Sequence, residues 1–173
     1  NADWKIKKFI GILENKIWLA LNHHTIIAID TNTGQLTNRI HDIPEFISSW
    51  LPSVLPHPEA TVIDKKCKKL IGFMWEFYWE IDPESGEISL YDLTVDLTNK
   101  EIRNDINRFV LTDKYVYFAS HFESKIGALD KKAKKIVWEY DFKKNEEGLE
   151  PRIIDIQGND NTLGALSSKG TLY

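Results

Sequence analysis

KLIGFMWEFYWEIDPESGEISLYDL, residues 69–93, contains the pattern that decides the fold. An apolar run leads to a second run that ends in an aliphatic residue and Asp82, and a turn ending in Gly86 leads to a third run. The same order recurs in KIWLALNHHTIIAIDTNTGQLTNRI, residues 16–40, and in KYVYFASHFESKIGALDKKAKKIVWEYDF, residues 114–142. The aspartates Asp30, Asp82 and Asp130 lie 52 and 48 residues apart, which is the period of a repeated module of about four strands.

The turns inside these blocks have the chemistry of hairpins. Asp30-Thr-Asn-Thr-Gly34 and Asp82-Pro-Glu-Ser-Gly86 each begin with an acid that can accept a hydrogen bond from the backbone two residues on. Each ends with a glycine, which takes a positive φ at no steric cost. We therefore predict a hairpin between the third and fourth strands of each module.

Further apolar runs precede each block and predict an innermost strand: WKIKKFIGIL, ATVIDK and NRFVLT. The chain is then all-β, a small propeller-like array of about three four-stranded antiparallel blades plus a partial fourth. We expect one domain over residues 1–173, with its segments in this order: blade 1 at about 4–40, an insertion at 41–58, blade 2 at about 59–93, blade 3 at about 106–142 and a partial blade at 151–173. So short an array is cramped for closure into a ring.

Two insertions interrupt the strand pattern. HDIPEFISSWL, beginning at His41, has a capping acid, a proline near the first helical position and an acid three residues later, so we expect one short helix in this insertion between blades. The second insertion, LTVDLTNKEIRND, beginning at Leu93, is ambiguous. FKKNEEGLEP is polar, contains glycine and proline, and indicates a loop between blades.

These blocks resemble the pyrroloquinoline-quinone-type repeat of β-propellers, which carries an aliphatic residue with Asp, a turn with Gly, and an apolar residue with Trp. The first two blocks keep Asp and Gly but lack the Trp. The third keeps Asp130 and Val137-Trp138 but has lysine where the glycine belongs. The resemblance implies the blade and not the quinone site, because quinone-binding enzymes of this type have about twice as many blades; we expect no cofactor.

The aromatic stretch FMWEFYWEID, residues 73–82, admits two interpretations. A continuous strand would put Trp75 in the core and is favoured by the lack of turn-forming residues in MWEF. The repeat register instead places Trp75 and Glu76 at the tip of the hairpin between the second and third strands. Both interpretations put Phe77, Trp79 and Ile81 in the core. If the tips of successive blades emerge on one face, the predicted partner-binding residues are Trp75, Glu76, His23, His24, Phe122 and Glu123.

Composition and charge narrow the possible classes. The chain has 26 acidic and 22 basic residues, a net charge of −4, which disfavours a surface that follows nucleic acid phosphates. The single cysteine, Cys67, excludes an internal disulfide and fits a reducing compartment. No apolar run approaches the roughly 20 residues of a membrane span, and no signal-peptide core precedes DWKIKKFIG. We expect a cytoplasmic protein with no membrane association, whose native start lies near Asp3.

Catalytic and metal-binding patterns are weak. His23, His24 and His121 could meet on one face, but adjacent histidines in a strand point to opposite sides, so we expect no metal. Cys67 lies in KKCKK, whose ammonium groups favour a thiolate, yet no base or oxyanion site can be named beside it. The sequence has no phosphate loop, no GxSxG and no HExxH. We expect a protein that is not an enzyme.

Acidic and aromatic residues on a rigid β scaffold are typical of a recognition surface. In size, charge and fold style, the chain resembles the immunity proteins of bacterial contact-dependent inhibition systems. That resemblance implies a monomer that binds and neutralises one cognate toxin domain, a nuclease with a basic cleft, as a heterodimer. One alternative is a propeller adaptor for another protein or peptide. A second is a hydrolase or metal-dependent enzyme that uses the histidine-bearing face.

Overall fold

The structure, a computed structural model, describes residues 3–41, 57–120, 123–142 and 151–173. Its strands form three four-stranded antiparallel sheets and one two-stranded sheet, each with its strands in chain order. The predicted all-β, propeller-like array of three blades and a partial fourth is confirmed. The first strand of each complete sheet lies in the apolar run that precedes each repeated block.

The strands follow the repeat closely. The first sheet contains β1 (Ile6–Leu13), β2 (Lys16–Leu21), β3 (Thr25–Asp30) and β4 (Leu36–Ile40). The second contains β5 (Thr61–Asp64), β6 (Lys69–Met74), β7 (Phe77–Ile81) and β8 (Ile88–Asp92). The third contains β9 (Ile106–Leu111), β10 (Tyr115–Ser120), β11 (Lys125–Asp130) and β12 (Lys135–Asp141). The two-stranded sheet contains β13 (Ile153–Gly158) and β14 (Leu163–Ser167).

A short helix, α1 (Thr94–Asn99), lies in the insertion between β8 and β9, which the sequence left ambiguous. The Asp92 carboxylate accepts hydrogen bonds from the Thr94 backbone N–H and hydroxyl, and Leu97 is the buried residue of the helix. The helix predicted in HDIPEFISSWL falls on residues outside the described ranges. A 3-10 turn, Pro58–Ala60, comes immediately before β5.

The repeated aspartates fix the turns as their spacing predicts. Oδ1 of Asp82 accepts the backbone N–H groups of the residues two and three positions later, at 3.0 and 2.8 Å, and Asp30 and Asp130 do the same in their turns. These hydrogen bonds are the main reason that the pKa of all three carboxyls lies below the usual range. Gly34 and Gly86 have φ of 70° and 75°, and Lys134 adopts 57° in the turn where glycine is missing.

The sheets also share a pairing of large and small residues between their second and third strands. Trp18 on β2 lies opposite Ala28 on β3, and Phe118 on β10 lies opposite Gly127 on β11. In the second sheet the order is reversed, since Gly72 precedes the turn and lies against the ring of Trp79. All three rings are fully buried. Each glycine leaves the space that the ring needs, because a Cβ at Gly127 would lie 2.3 Å from Phe118 Cζ.

Contacts divide the chain into two compact units. Unit 1 comprises Asn1–Gly72 and Trp79–Leu90, and unit 2 comprises Phe73–Tyr78 and Tyr91–Tyr173. The single domain over residues 1–173, with its blade boundaries, stays a prediction. In the described ranges, no helix has the length and apolar character that a membrane span requires.

Candidate protein-binding surface

The chain reverses direction at Trp75 and Glu76, between the end of β6 at Met74 and the start of β7 at Phe77. The repeat register predicts this hairpin tip, and the continuous strand is wrong. Trp75 has a φ of 55°, a region that bulky side chains rarely adopt. The core positions on which both interpretations agreed are confirmed, because Phe77, Trp79 and Ile81 are all buried.

Two backbone hydrogen bonds hold this tip in place. The Trp75 N–H donates to the Ile106 carbonyl at 2.8 Å, and the Leu93 N–H donates to the Glu76 carbonyl at 2.9 Å. The tip is therefore attached to the start of β9 and to the residue before α1. Trp75 and Glu76 are both partly buried, so the tip presents part of each side chain in a fixed position.

The environment of Glu76 is set by burial and by a neighbouring acid. Burial raises the pKa of its carboxyl, and the negative charge of Asp92 raises it further, whereas a hydrogen bond from the Asn104 side chain opposes the shift. The fold therefore holds two carboxyl groups near each other at a cost in stability. Such an arrangement favours a cation that binds beside both groups.

The loop after α1 extends this acidic region. The Arg103 backbone N–H donates to Glu123 Oε2 at 3.1 Å, and Arg103 Nε lies 3.6 Å from Asp105 Oδ2. The Lys125 Nζ donates to the Glu101 carbonyl at 2.6 Å. We use the name acidic tip surface for this part of unit 2, defined by Trp75, Glu76, Asp92, Glu101, Arg103, Asn104, Asp105, Glu123 and Lys125. It contains five carboxyl groups and two cationic side chains, so it is negative at neutral pH.

The histidines of the predicted site lie in unit 1. His23 and His24 form the β2–β3 turn with φ of 57° and 56°. The ring of Trp4 packs edge-on against His23 at 5.7 Å between centroids, and the Arg39 guanidinium lies 4.9 Å from the Trp4 ring. The structure thus brings Trp75, Glu76 and Glu123 into one unit and places His23 and His24 in the other. Phe122 lies outside the described residues, and the one shared face stays a prediction.

Other candidate chemistry receives little support from the geometry. Among the residues that the structure describes, which omit His121, no three His, Cys, Asp or Glu side chains lie close enough together to hold a metal ion. Cys67 is exposed in the β5–β6 turn, where its backbone N–H donates to Asp64 Oδ1. Its backbone thus contributes a hydrogen bond to the turn.

Sequence reasoning missed the contribution of the α1 insertion. Glu101, Arg103, Asn104 and Asp105 come from the segment that the sequence left ambiguous, and together they form much of the acidic tip surface. A signal was present, because an aspartate such as Asp92 can accept a hydrogen bond from the backbone N–H two residues later and so form a turn at this point. A short helix there returns the chain to β9 beside the tip.

Comparison with known proteins supports the fold. No family model matches the chain, and no curated protein matches it in sequence. Among solved structures, the chain is similar to the RRP9 WD40 repeats, with a TM-score of 0.60 and 11% identity over 99% of this chain and 50% of that one. It is similar to BamB from Moraxella catarrhalis, with a TM-score of 0.55 and 11% identity over 94% and 41%.

It is also similar to U3-55K, with a TM-score of 0.57 and 10% identity over 99% of this chain and 54% of that one. The chain therefore spans about half the length of the solved structures it matches. At such low identity the likeness concerns the fold alone. The sheet order, the turns and these neighbours agree that the fold is of the β-propeller type.

Proposed function

We propose that this chain is a non-catalytic protein-binding module of the propeller type that binds through its acidic tip surface. The observation that carries the proposal is the attachment of the Trp75-Glu76 tip by backbone hydrogen bonds on both sides. A tip fixed in this way presents an aromatic ring and a carboxyl group without an ordering cost on binding. Loops positioned by a rigid sheet scaffold are where binding residues concentrate in such folds.

The charge of the surface indicates its partner. Five carboxyl groups against two cations favour a basic partner, and long-range attraction then raises the association rate. Burial of Glu76 near Asp92 adds to this preference, because a partner cation would stabilise the ionised carboxyl that burial, and then the Asp92 charge, disfavour. Lysine or arginine side chains of another protein fit this chemistry.

A finer proposal is that the partner is a toxin domain and that the chain is its immunity protein. The acidic tip surface favours this idea, because a nuclease has a basic cleft that such a surface would cover. The chain would then act as a monomer in a heterodimer in the cytoplasm. None of the three similar structures is named as a toxin or an immunity protein, so the broader adaptor function is the one we advance.

The proposal is tested with charge reversal. The tagged chain is used to isolate partners by crosslinking and mass spectrometry, and each purified candidate is titrated by calorimetry against the wild-type chain and against Glu76→Lys/Asp92→Lys. The matched control is Glu84→Lys/Glu87→Lys, which makes the same charge change at exposed positions of unit 1. We expect the first variant to weaken binding at least tenfold and the control to leave it within twofold.

Equal effects of the two variants would refute the acidic tip surface as the binding site. For the immunity proposal, the toxin domain encoded next to this chain is assayed for nuclease activity with a molar excess of the chain. Full activity in that mixture would contradict the immunity function but not the adaptor function.

A further inference from the structure

Unit 2 contains a second surface feature, an open groove of about 690 Å³ lined mainly by aromatic and aliphatic side chains. It lies between the third sheet and the two-stranded sheet, and none of its lining residues belongs to the acidic tip surface. We call it the aromatic groove and define it by six of its lining residues: Tyr117, Trp138, Tyr140, Phe142, Leu163 and Tyr173. Trp138 and Tyr140 are 41% and 51% exposed, which is high for large rings in a sheet.

A β-bulge on β12 aims these rings into the groove. Ile136 pairs with Leu129 and Trp138 pairs with Ala128, so Val137 is an extra residue on β12. The extra residue shifts the alternation, which places Ile136 on the buried side of the sheet and Trp138 on the opposite side. Tyr140 then follows on the groove side, and its ring stacks on Trp138 with 14° between the ring planes.

The groove continues an interface that already exists inside unit 2. The third sheet and the two-stranded sheet share a hydrophobic core formed by Ala119, Ile126, Phe142, Ile153, Ile156 and Ala165. Ile126, Phe142 and Ala165 also line the groove. The same apolar layer therefore extends from the covered part of the third sheet to the uncovered rings of β12, where no described strand lies against it.

The backbone beside the groove shows what shape would cover it. Residues 171–173 run along β14, and Tyr173 and Ala165 exchange hydrogen bonds at 2.9 and 3.2 Å. These residues occupy the position that a third strand takes in the complete sheets. Because backbone groups alternate between the two edges of a strand, the N–H and C=O of Leu172 point away from β14. Leu172 is 75% exposed.

The lining also limits the chemistry of the occupant. The side chains of all thirteen residues that line the groove are uncharged at neutral pH, and only phenol, indole, amide and hydroxyl groups interrupt the apolar surface. A charged side chain would lose its hydration there without a compensating partner. The lining therefore favours uncharged and mostly apolar side chains in the groove.

We propose that the aromatic groove binds an extended segment of a partner protein, which pairs as a β-strand with the Leu172 edge and inserts apolar side chains at alternate positions against Trp138 and Tyr140. Strand addition of this kind takes affinity from the backbone and specificity from the side-chain pockets. The proposal depends on the proposed function only in that the chain binds protein. It concerns a contact region separate from the acidic tip surface.

A library of random 12-residue peptides displayed on phage tests the groove directly. The library is panned on the 173-residue chain, and the peptides that are enriched are synthesised and titrated by fluorescence anisotropy. We expect apolar residues at every second position of these peptides. Binding should weaken at least tenfold in Trp138→Thr/Tyr140→Thr, whose exposed positions accept threonine in a strand, and circular dichroism confirms that this variant is folded.

Further variants distinguish peptide binding in the groove from binding elsewhere on the chain. Trp4→Thr is a matched control, because Trp4 lies in unit 1 and is 42% exposed. It should leave peptide binding within twofold, as should Glu76→Lys/Asp92→Lys. Leu172→Pro removes the N–H that faces the partner but none that bonds to β14, so it should weaken binding at least tenfold, whereas Leu172→Ala should have a small effect.

Several outcomes would overturn the proposal. These are no enrichment over a blank surface, enriched peptides without the alternating pattern, or affinities unchanged by the Trp138 and Tyr140 substitutions. Sedimentation velocity tests a further contrary outcome. A dimer of the wild-type chain that is absent in Trp138→Thr/Tyr140→Thr would show that a second copy of the chain occupies the groove. If the groove proposal fails, the proposal for the acidic tip surface still stands, because Glu76→Lys/Asp92→Lys tests that surface separately with the natural partner.

Discussion

Gly127→Ala is the most direct test of the large–small pairing that repeats through the sheets. The added methyl group would lie 2.3 Å from Phe118 Cζ and 2.8 and 2.9 Å from the two Cε atoms. Ordinary contact begins near 3.4 Å, so the Phe118 ring must move by about 1 Å. The ring is fully buried and lies 5.0 Å from the ring of Phe73, so it has little room to move.

The size of the effect follows from two opposing contributions. Overpacking a well-packed core costs about 1–3 kcal/mol. Alanine is better than glycine inside a strand by about 0.5–1 kcal/mol, which offsets part of that cost. We expect a net loss of about 1–2 kcal/mol in the free energy of unfolding. For a chain of this size that loss lowers the Tm by about 2–8 °C.

Urea unfolding followed by circular dichroism measures this change, and Gly164→Ala provides the control. Gly164 also lies in a strand, but a Cβ there would have no neighbour closer than 3.7 Å, so the substitution should be neutral or stabilise slightly. Phe118→Leu combined with Gly127→Ala should cost less than the two single changes added together, because the smaller side chain makes room. A Gly127→Ala protein as stable as the wild type, or a Gly164→Ala protein equally damaged, would refute the pairing.

Three further predictions concern the turns, a buried hydrogen bond and the acidic tip. Gly34→Ala should cost about 1–2 kcal/mol from its positive φ alone, and Gly86→Ala should cost more in a urea titration, because its methyl group would also lie 2.6 Å from Asn38 Nδ2. Thr61→Val should lower the free energy of unfolding by about 1–3 kcal/mol, since the buried Trp79 Nε1 donates to Thr61 Oγ1 at 3.0 Å. Thr61→Ser keeps the hydroxyl group and should retain most of the wild-type stability. Because burial raises the pKa of Glu76, its contribution to stability is fully present at acidic pH and is lost as the pH rises through that pKa. Glu76→Gln should therefore be more stable than the wild type at pH 7 and equal to it near pH 3. Equal stabilities of the two proteins at both pH values would contradict the assigned burial.

Much of the fold could be predicted from the sequence, because the information is local and repeated. Asp82 and its two counterparts each fix a turn through their own neighbours, so their spacing alone places the hairpins. The tip at Trp75 was also predictable, although nothing in MWEF favours a turn, since the register of the other repeats locates it. Lys134 departs from the repeat and still adopts a positive φ, which shows that the Asp130 carboxylate can hold the turn without glycine.

The candidate surfaces were less predictable, for a physical reason. The acidic tip surface depends on how the α1 insertion returns to β9, which brings Asn104 and Arg103 beside a tip 27 or more residues earlier in the chain. The aromatic groove depends on one extra residue at Val137, which exchanges the two faces of β12. A simple alternating pattern would put Ile136 and Trp138 on the same side. Neither the path of the α1 insertion nor the bulge at Val137 has a sequence signal as strong as that of the Asp-centred turns.

The Asp-centred turns have one more consequence. Each satisfies two of its backbone donors with a carboxylate only two or three positions away, so most of the order of the turn is encoded within five residues. A segment duplicated within a gene would therefore carry with it the residues that form its turn. Whether such a protein can grow by duplication then depends on whether the copied sheets bury each other's apolar faces, and much less on whether the turns form.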